Sequence, residues 1–469
     1  MPDKAQRRFP TSIRSESMGG APPTLSGSRG ETIITSALVS VAAQGLSSAS
    51  NLVAQVGLAL TLAPVAFGSL VVGFSVYYFA LALVRALVGD PLVALVAPGR
   101  LTDGGGERGS GRIEAVDKVW RRVRGRLVAI SGLATALVTV TALAAGSVRV
   151  ELALLAAAVP ILLTQDAYRY LAWARGRPKV VLALDGVWVI SSLALVLAAA
   201  LGLGTSAVTG AVILFSWCGG GLASALLARR LLPILPPPRP QPGAPGPANA
   251  LDDDPDPVDR PDDLVRSLSW TQAILAVDAN GLPVVVAAVA GATVSAGLRV
   301  VTLPFMPITT AVVALRVLAL PRLREAVRIG QGRLVAARVA LIFASVGVGA
   351  SGAMLGLLAF LPDRWLGPSG QLVEPWFVLG AVIVVGRVIN LPLSDVLALG
   401  ADRRGAMACR LGASILSWTA TIGGAVLFGL QGAIMARAGA SIVSILIWAV
   451  AVVRATEPGG VERSRRFGS

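Results

Sequence analysis

The sequence contains no histidine and only two cysteines in 469 residues. Histidine is the commonest general base and the commonest metal ligand in proteins, so its absence counts against most hydrolytic and metal-dependent enzymes. Cys218 and Cys409 both lie within apolar stretches, where isolated buried thiols are expected rather than a disulfide or a metal pair. We therefore expect a protein that is not an enzyme and that holds no metal or other cofactor.

A phosphate-binding loop is also missing. The stretch GGGERGSG (104–111) is rich in glycine, but it lacks the Gly-Lys-Ser/Thr ending and the preceding strand of a nucleotide-binding loop. A flexible connection is expected there. With no ATP motif, any transport by this chain would depend on a gradient, a downhill substrate or another protein.

Charged residues are scarce. They make up 14% of the chain, whereas about a quarter is usual for soluble globular proteins. Hydrophobic residues make up 54%, the mean hydropathy is +0.73, and the apolar residues are bunched into long stretches instead of short amphipathic ones. This composition predicts a membrane protein.

Twelve apolar stretches are long enough to cross a bilayer, which requires about 20 residues in a helix. The sequence therefore predicts an all-α polytopic protein with twelve transmembrane helices. The stretches are 33–60, 64–88, 124–146, 148–168, 179–202, 206–228, 265–290, 294–318, 333–361, 374–398, 405–428 and 431–454.

A segment rich in proline and aspartate separates the first six stretches from the last six. It reads PILPPPRPQPGAPGPANALDDDPDPVDRPDD and predicts a solvated linker, because proline removes backbone donors and the aspartates need water. A docking site for a partner that binds polyproline is the alternative. The predicted organisation is a tail (1–32), an N-lobe (33–232), the linker (233–263), a C-lobe (264–455) and a second tail (456–469).

The net charge of +15 is arranged as a membrane protein requires and does not indicate nucleic-acid binding. Basic residues concentrate in the two tails and on the connections that follow even-numbered stretches, whereas the other connections carry little beyond Arg149 and Arg364. By the positive-inside rule, both termini and the linker are expected in the cytoplasm. The excess of arginine over lysine and the abundant alanine suggest a GC-rich bacterial genome. The expected location is therefore a bacterial plasma membrane.

The two halves contain a repeated pattern. Residues 51–70 align without gaps with residues 280–299, so that Asn51 matches Asn280 and Gly68 matches Gly297. Each segment is a helix that begins with polar residues, followed by a short turn and a second helix, and each opens a block of six stretches. The pattern predicts an internal duplication that forms two six-helix lobes around a central cavity with a substrate site between them.

Three passages extend this pattern: SSASNLVAQVGLALTLAPVAFGSLVVGFSVYYFAL (47–81), VDANGLPVVVAAVAGATVSAGLRVVTLPF (277–305) and DAYRYLAWARGRPKVVLALDGVW (166–188). On these the chain resembles the multidrug/oligosaccharidyl-lipid/polysaccharide exporter superfamily, and within it the flippases of polyprenyl-linked oligosaccharides. The resemblance implies a V-shaped cavity that opens alternately to each side. The chain departs from the lipid II flippases, which have fourteen helices, and the acidic cluster of the multidrug branch has no counterpart.

Buried polar groups are the candidates for the site, because a charge at mid-bilayer costs about 2.5–3.5 kcal/mol on insertion scales and usually faces a cavity or a partner. Asp278 either pairs with a buried arginine as a structural lock or lies on the cavity wall as a proton site, a cation site or part of a gate. Asn51 and Asn280 are cavity candidates that could instead bridge helices, the role we favour for Gln55.

Arginines are the second group of candidates, because a guanidinium matches the oxygens of a phosphate. Arg299, Arg387 and Arg437 lie in or at the ends of apolar stretches and are candidate anion contacts, with pairing inside the protein as the alternative. Arg85 and Arg316 are expected to extend towards the lipid–water interface. Asp278 at mid-depth and Arg299 near the outer opening are both expected to face the central space without forming an ion pair.

The sequence therefore predicts a transporter that flips a polyprenyl-phosphate-linked oligosaccharide from the inner to the outer leaflet. One alternative is the cation-coupled export of small amphiphiles, and another is a membrane scaffold that transports nothing. The expected partners are the lipid-linked glycan, membrane lipids and glycan-assembly proteins.

The charge distribution yields a topology test. Tags at either terminus or within 239–262 should be inaccessible to impermeant reagents in intact cells, because the positive-inside rule places them in the cytoplasm. Tags near Gly204 or Gly367 should be labelled. Labelling of the linker from outside would show that the orientation is the reverse of the predicted one.

Overall fold

The computed structural model describes a little under three-quarters of the chain. The predictions for residues 1–26 of the first tail, for the second tail and for all of the linker except residue 233 lie outside this part. Within it the secondary structure is helical and contains no strand. The described residues are 27–89, 92, 108–146, 148–203, 209–233, 277–278, 280–312, 315–316, 323, 326, 331–360, 367–399 and 403–455.

Among the described residues, part of each of the twelve predicted stretches is helical, and nine helices are long and apolar enough to cross a membrane. The prediction of an all-α polytopic membrane protein is therefore confirmed. The first half contains α1 (Gly27–Thr61), α2 (Pro64–Val84), α3 (Arg108–Ala144), α4 (Arg149–Ala174), α5 (Pro178–Leu203) and α6 (Gly210–Leu231). The second half contains α7 (Asn280–Ala290), α8 (Ala292–Val300), α9 (Gly332–Phe360), α10 (Phe377–Leu399) and a long helix, Arg403–Ala455.

The long helix is two membrane spans joined at a glycine. Gly429 has φ 62° and ψ −143°, a conformation that is open to glycine and strained for other residues. The break separates α11 (403–428) from α12 (430–455). Gly424 and Gly432 then lie against each other, since a Cβ on either would lie 2.3 Å from the other's carbonyl oxygen.

α3 begins sixteen residues earlier than the apolar stretch predicted, so the expectation of a loop through residue 111 is wrong for 108–111. The reason is a stripe of buried residues that begins before the apolar run. Val116, Trp120, Val123 and Leu127 are buried and follow the helical spacing of three to four residues. The extension packs against α4, where the Trp120 ring centroid lies 5.6 Å from that of Tyr168. Basic residues that the sequence placed on a connection therefore lie on this helix.

The two halves meet at one end of the bundle, called the hairpin end, which carries the α1–α2 turn (61–64) and the α7–α8 break at Gly291. There α2 packs on α8 so closely that a Cβ on Gly68 would lie 2.0 Å from the carbonyl oxygen of Ala292. Beside this contact, Gly367 in the short helix before α10 packs on the backbone of Leu60, the nearest atom lying 2.8 Å from a Cβ on the glycine. The two halves are therefore in close contact at the hairpin end.

Each half contains a bidentate ion pair, and the aspartates of the two pairs lie at equivalent positions of the repeat. Arg85, at the end of α2, donates from Nε and Nη2 to Asp166 in α4 over 3.0 and 2.8 Å. Arg316, beyond α8, donates from the same two nitrogens to Asp395 in α10 over 2.7 and 2.6 Å. The two aspartates are 229 positions apart, which is also the separation of Asn51 and Asn280. The expectation that both arginines extend to the lipid–water interface is therefore wrong, because each is held by a buried carboxylate.

The pair in the first half belongs to a larger cluster. Asp166 also accepts a hydrogen bond from Arg169 over 2.9 Å, and Arg169 Nε lies 3.0 Å from Asp185 in α5. Two arginines and two aspartates thus balance in charge, as buried ions require. The cluster therefore joins α2, α4 and α5.

Replacing Asp395 with asparagine should destabilise the protein, because Arg316 would remain as an uncompensated cation. Breaking one partner of a buried pair costs about 3–5 kcal/mol, and we expect the lower end because 26% of the Arg316 side chain is exposed. Asp166→Asn should cost more, since Arg85 loses its carboxylate and Arg169 keeps only Asp185. Thermal unfolding of the detergent-purified protein measures both.

The matched control is Glu374→Gln, which neutralises an exposed carboxylate. It should leave the unfolding midpoint unchanged. Equal midpoints for Asp395→Asn and this control would show that the ion pair does not contribute to the fold.

Candidate functional site

A cavity of about 520 Å³ lies between the two halves and is called the interlobe cavity below. Five helices supply its wall. The side chains and glycines that line it are Gln44, Gly45, Ser47, Ser48, Ala49, Asn51, Leu52 and Gln55 of α1; Tyr78, Leu81, Ala82 and Arg85 at α2; Asn280 of α7; Arg299, Met306, Pro307, Thr310 and Ala311 in and beyond α8; and Arg387 of α10.

The α1 wall is a polar stripe along one helical face. Gln44, Asn51 and Gln55 and the adjacent pair Ser47 and Ser48 follow one another at intervals of three or four residues, which places them on a single side of a 3.6-residue helix. The remaining faces of α1 pack on α5 and α6. The apolar residues of α1 thus fix the helix in the first half and leave its amides and hydroxyls facing the cavity.

The end wall of the cavity consists of Gln55, Tyr78 and Arg299. On their respective helices these are the lining residues nearest the hairpin end. Arg299 Nε donates to Gln55 Oε1 over 2.6 Å, Gln55 Nε2 donates to the Tyr78 hydroxyl over 3.0 Å, and the Arg299 guanidinium lies 5.7 Å from the Tyr78 ring centre. The cavity therefore ends at this contact and extends away from the hairpin end.

The charge of the interlobe cavity is positive. Among the described residues that line it, three are arginines and none is aspartate or glutamate. Asp166 neutralises Arg85, but Arg299 contacts a neutral amide and a ring face. Arg387 is exposed and lies within electrostatic range of Arg299. Arg299 and Arg387 repel each other, and a bound anion would offset this repulsion. The positive potential of the two arginines therefore makes the cavity favourable for an anion.

Four of the six predicted site residues line the cavity: Asn51, Asn280, Arg299 and Arg387. Asn51 donates from Nδ2 to the carbonyl oxygen of Ser47 over 2.9 Å. Its Oδ1 is buried and lacks a hydrogen-bond partner among the described residues.

Asp278 and Arg437 are not among the lining residues, which differs from the expected position of Asp278 on the cavity wall. Asp278 Oδ1 accepts a hydrogen bond from Trp418 Nε1 in α11 over 3.0 Å. The helical geometry explains this, because residues two positions apart point about 200° apart around a helix, and Asn280 takes the cavity side. Arg437 lies within electrostatic range of Asp278 and Arg387, and its buried Nη1 has no hydrogen-bond partner among the described residues.

Arg299 also differs from its expected place near an opening. It lies at the end of the cavity that the α2–α8 contact closes. As expected, the structure contains no ion pair between Arg299 and Asp278, two residues that it describes. Gln55 bridges α1 to α2 and also to α8, which extends the helix-bridging role favoured for it.

Tyr78 and Arg85 are lining residues that the sequence did not single out for the cavity. A signal for them exists, since Tyr78, Ala82 and Arg85 follow helical spacing along α2. The ion-pair residues Asp166 and Asp395 also had a signal in the sequence, because they are separated by 229 residues, the offset of the repeat.

Comparisons with known proteins bear on the fold. No family model matches the chain, and no curated protein matches it. Solved structures do match. The chain is similar to an inward-facing conformation of a multidrug resistance MATE family transporter of the MOP superfamily, with a TM-score of 0.60 and 13% identity over 88% of this chain and 94% of that one.

Two further structures cover nearly the whole chain. An outward-facing multidrug resistance MATE family transporter gives a TM-score of 0.55 with 14% identity over 91% of this chain and 95% of that one. A MOP superfamily transporter from Pyrococcus furiosus, whose binding pocket has a reverse polarity that suggests a different function, gives 0.56 with 12% identity over 91% and 97%. The chain therefore has the two-lobe, twelve-helix fold of these transporters.

Cysteine labelling can measure the charge of the cavity. In a variant without Cys218 and Cys409, Ser48→Cys places a thiol on the cavity wall and Thr61→Cys places one outside it. The rate ratio of an anionic to a cationic methanethiosulfonate reagent should be at least about tenfold higher at position 48 than at 61, because a cationic cleft concentrates anions. Equal ratios at the two positions would show that the cavity has no such field.

Proposed function

We propose that this protein is a transporter that moves a lipid-linked anionic glycan headgroup across the membrane by alternating access. The observation that carries the proposal is the cationic interlobe cavity, in which Arg299 and Arg387 have no carboxylate bound to them among the described residues. A polyprenyl-phosphate-linked oligosaccharide supplies the missing anion and also a polar head that the stripe on α1 suits.

Arg387 is the residue best placed to receive a phosphate. It is exposed, it lines the cavity, and its guanidinium can offer a planar pair of donors to two phosphate oxygens. Arg299 lies within electrostatic range of it and extends the positive surface towards the end wall. The asparagines and serines of the wall can donate to and accept from sugar hydroxyls.

The size of the cavity supports a headgroup as the bound part. A volume of about 520 Å³ lies within the usual range of small-molecule sites, about 300–1,000 Å³, and holds a phosphate with a few sugar units. In this proposal the polyprenyl chain remains in lipid. With the termini in a bacterial cytoplasm, the described cavity faces the inner leaflet, where glycan-assembly proteins would deliver the substrate.

The cation-coupled export of small amphiphiles is the alternative that the fold allows, since solved structures of similar fold are multidrug transporters. The charge of the cavity favours an anionic substrate, because Arg299 and Arg387 would repel a cationic amphiphile. The Pyrococcus furiosus transporter is an example of this fold with a binding pocket of reverse polarity. A scaffold without transport would not need a polar cavity between the lobes.

The test is flipping in proteoliposomes. We expect the protein to translocate a fluorescent polyprenyl phosphate sugar but not the matching uncharged polyprenyl sugar. Arg387→Ala should lower the rate by about tenfold or more, since a hydrogen bond to a charged group contributes about 1.5–3 kcal/mol. Arg387→Lys should retain part of the rate because it keeps the charge without the fork.

The control is Arg149→Ala, which removes an exposed arginine at the start of α4, away from the cavity. Its rate should equal that of the unsubstituted protein. Equal flipping of the charged and uncharged lipids, or a normal rate for Arg387→Ala at normal abundance, would contradict the proposed function.

A further inference from the structure

The end wall of the interlobe cavity is also a contact between the two halves of the chain. Gln55 and Tyr78 belong to the first half and Arg299 to the second, and the hydrogen bond from Arg299 Nε to Gln55 Oε1 joins residues 244 positions apart. This three-residue contact is called the latch below. It lies between the cavity and the packed surfaces of the hairpin end.

The orientation of the Gln55 amide is fixed by its neighbours. Nε2 donates to the Tyr78 hydroxyl over 3.0 Å and to the carbonyl oxygen of Asn51 over 3.3 Å. The side chain is 97% buried, since Gln55 is 3% exposed, so water does not compete for it. Because both bonds use the amide nitrogen, the acceptor oxygen points to Arg299.

Arg299 is held in the latch by neutral groups. Gln55 offers one amide oxygen and Tyr78 a ring face, while Arg387 repels the guanidinium from the cavity side. A charged acceptor forms a shorter and roughly twice as strong a hydrogen bond with arginine as a neutral one. An anion in the cavity therefore competes favourably with Gln55 for Arg299.

We propose that Gln55 is a positioning residue that holds the two lobes closed through Arg299, and that an anionic headgroup opens the hairpin end by drawing Arg299 away from Gln55. This inference rests on the proposed function, because it takes the headgroup to be the anion. The charge of the substrate then controls which lobe arrangement is populated.

The contacts beyond the latch suit such an opening. The approach of Gly68 to Ala292 and that of Gly367 to Leu60 involve backbone atoms and small side chains without charge. Such surfaces can separate and meet again without leaving an ion unpaired. By contrast, Arg85–Asp166 and Arg316–Asp395 each lie within one half, so each lobe can move as a rigid unit.

Distance measurements between spin labels test the latch. In the cysteine-free protein, labels at Gly146→Cys and Glu374→Cys report on opposite halves near the hairpin end, where both positions are exposed. Without ligand, Gln55→Leu should raise the ratio of long to short distances by about tenfold, since it removes a hydrogen bond to a charged group. Gln55→Glu should keep the short distance because it replaces the neutral acceptor with a carboxylate.

The matched control is Gln165→Leu. Gln165 is another buried amide, which donates to Ser224 within the first half over 3.2 Å. Its replacement should leave the label distances unchanged even if it lowers the unfolding temperature. If Gln55→Leu, Gln55→Glu and Gln165→Leu all give the distribution of the unsubstituted protein, the latch is overturned.

The second part of the proposal, that an anion draws Arg299 away from Gln55, is called the release step. It is tested with farnesyl diphosphate as the anionic probe and farnesol as the uncharged one, and binding is measured separately by calorimetry. Farnesyl diphosphate should lengthen the distance in the unsubstituted protein and have little effect in Gln55→Glu, while farnesol should change neither. Binding of farnesyl diphosphate without a change, or with a shift to shorter distances, overturns the release step. If it does not bind, the anion site of the proposed function fails, and the two Gln55 variants still decide whether the latch exists.

Discussion

Arginine inside a membrane protein needs a counter-charge or a wet surface, and the way this chain meets that need organises its structure. In the first half, Asp166 and Asp185 compensate Arg85, which lines the cavity, and Arg169, which does not. Asp395 does the same for Arg316 in the second half. Arg299 and Arg387 face the interlobe cavity and have no carboxylate bound to them among the described residues. Because a charge in hydrocarbon is costly, these two arginines depend on the polar wall around them and favour an anionic occupant.

The residues that the two repeats share shape the helix packing, whereas the arginines of the interlobe cavity are not shared. Positions 229 apart share Asn51 with Asn280, Gly68 with Gly297 and Asp166 with Asp395, and these residues shape the helix pairs, the close approaches and the ion pairs. The cavity arginines are not shared, since Arg299 corresponds to Leu70 and Arg387 to Ala158. The positive charge of the cavity is therefore supplied mainly by the second half of the repeated structure.

Much of this arrangement could be predicted from local pattern. The apolar runs gave the twelve helices, because length and hydropathy are enough to identify a span, and helical spacing places Asn51 on the same face as Gln55. Partners that lie far apart in sequence could not be predicted in this way. Arg85 and Asp166 are 81 residues apart, and only packing in three dimensions shows that they meet. The same holds for Asp278, whose contact with Trp418 depends on how α7 is turned against α11.

The central claim is that the unneutralised arginines of the interlobe cavity bind an anionic headgroup. A cryo-electron microscopy map of the protein with a polyprenyl diphosphate tests it directly. The account predicts phosphate density in the cavity at hydrogen-bond distance from Arg387, about 3 Å, with Arg299 on the same side. Density for the phosphates outside the cavity, or an empty cavity at a lipid concentration that saturates binding, would contradict it.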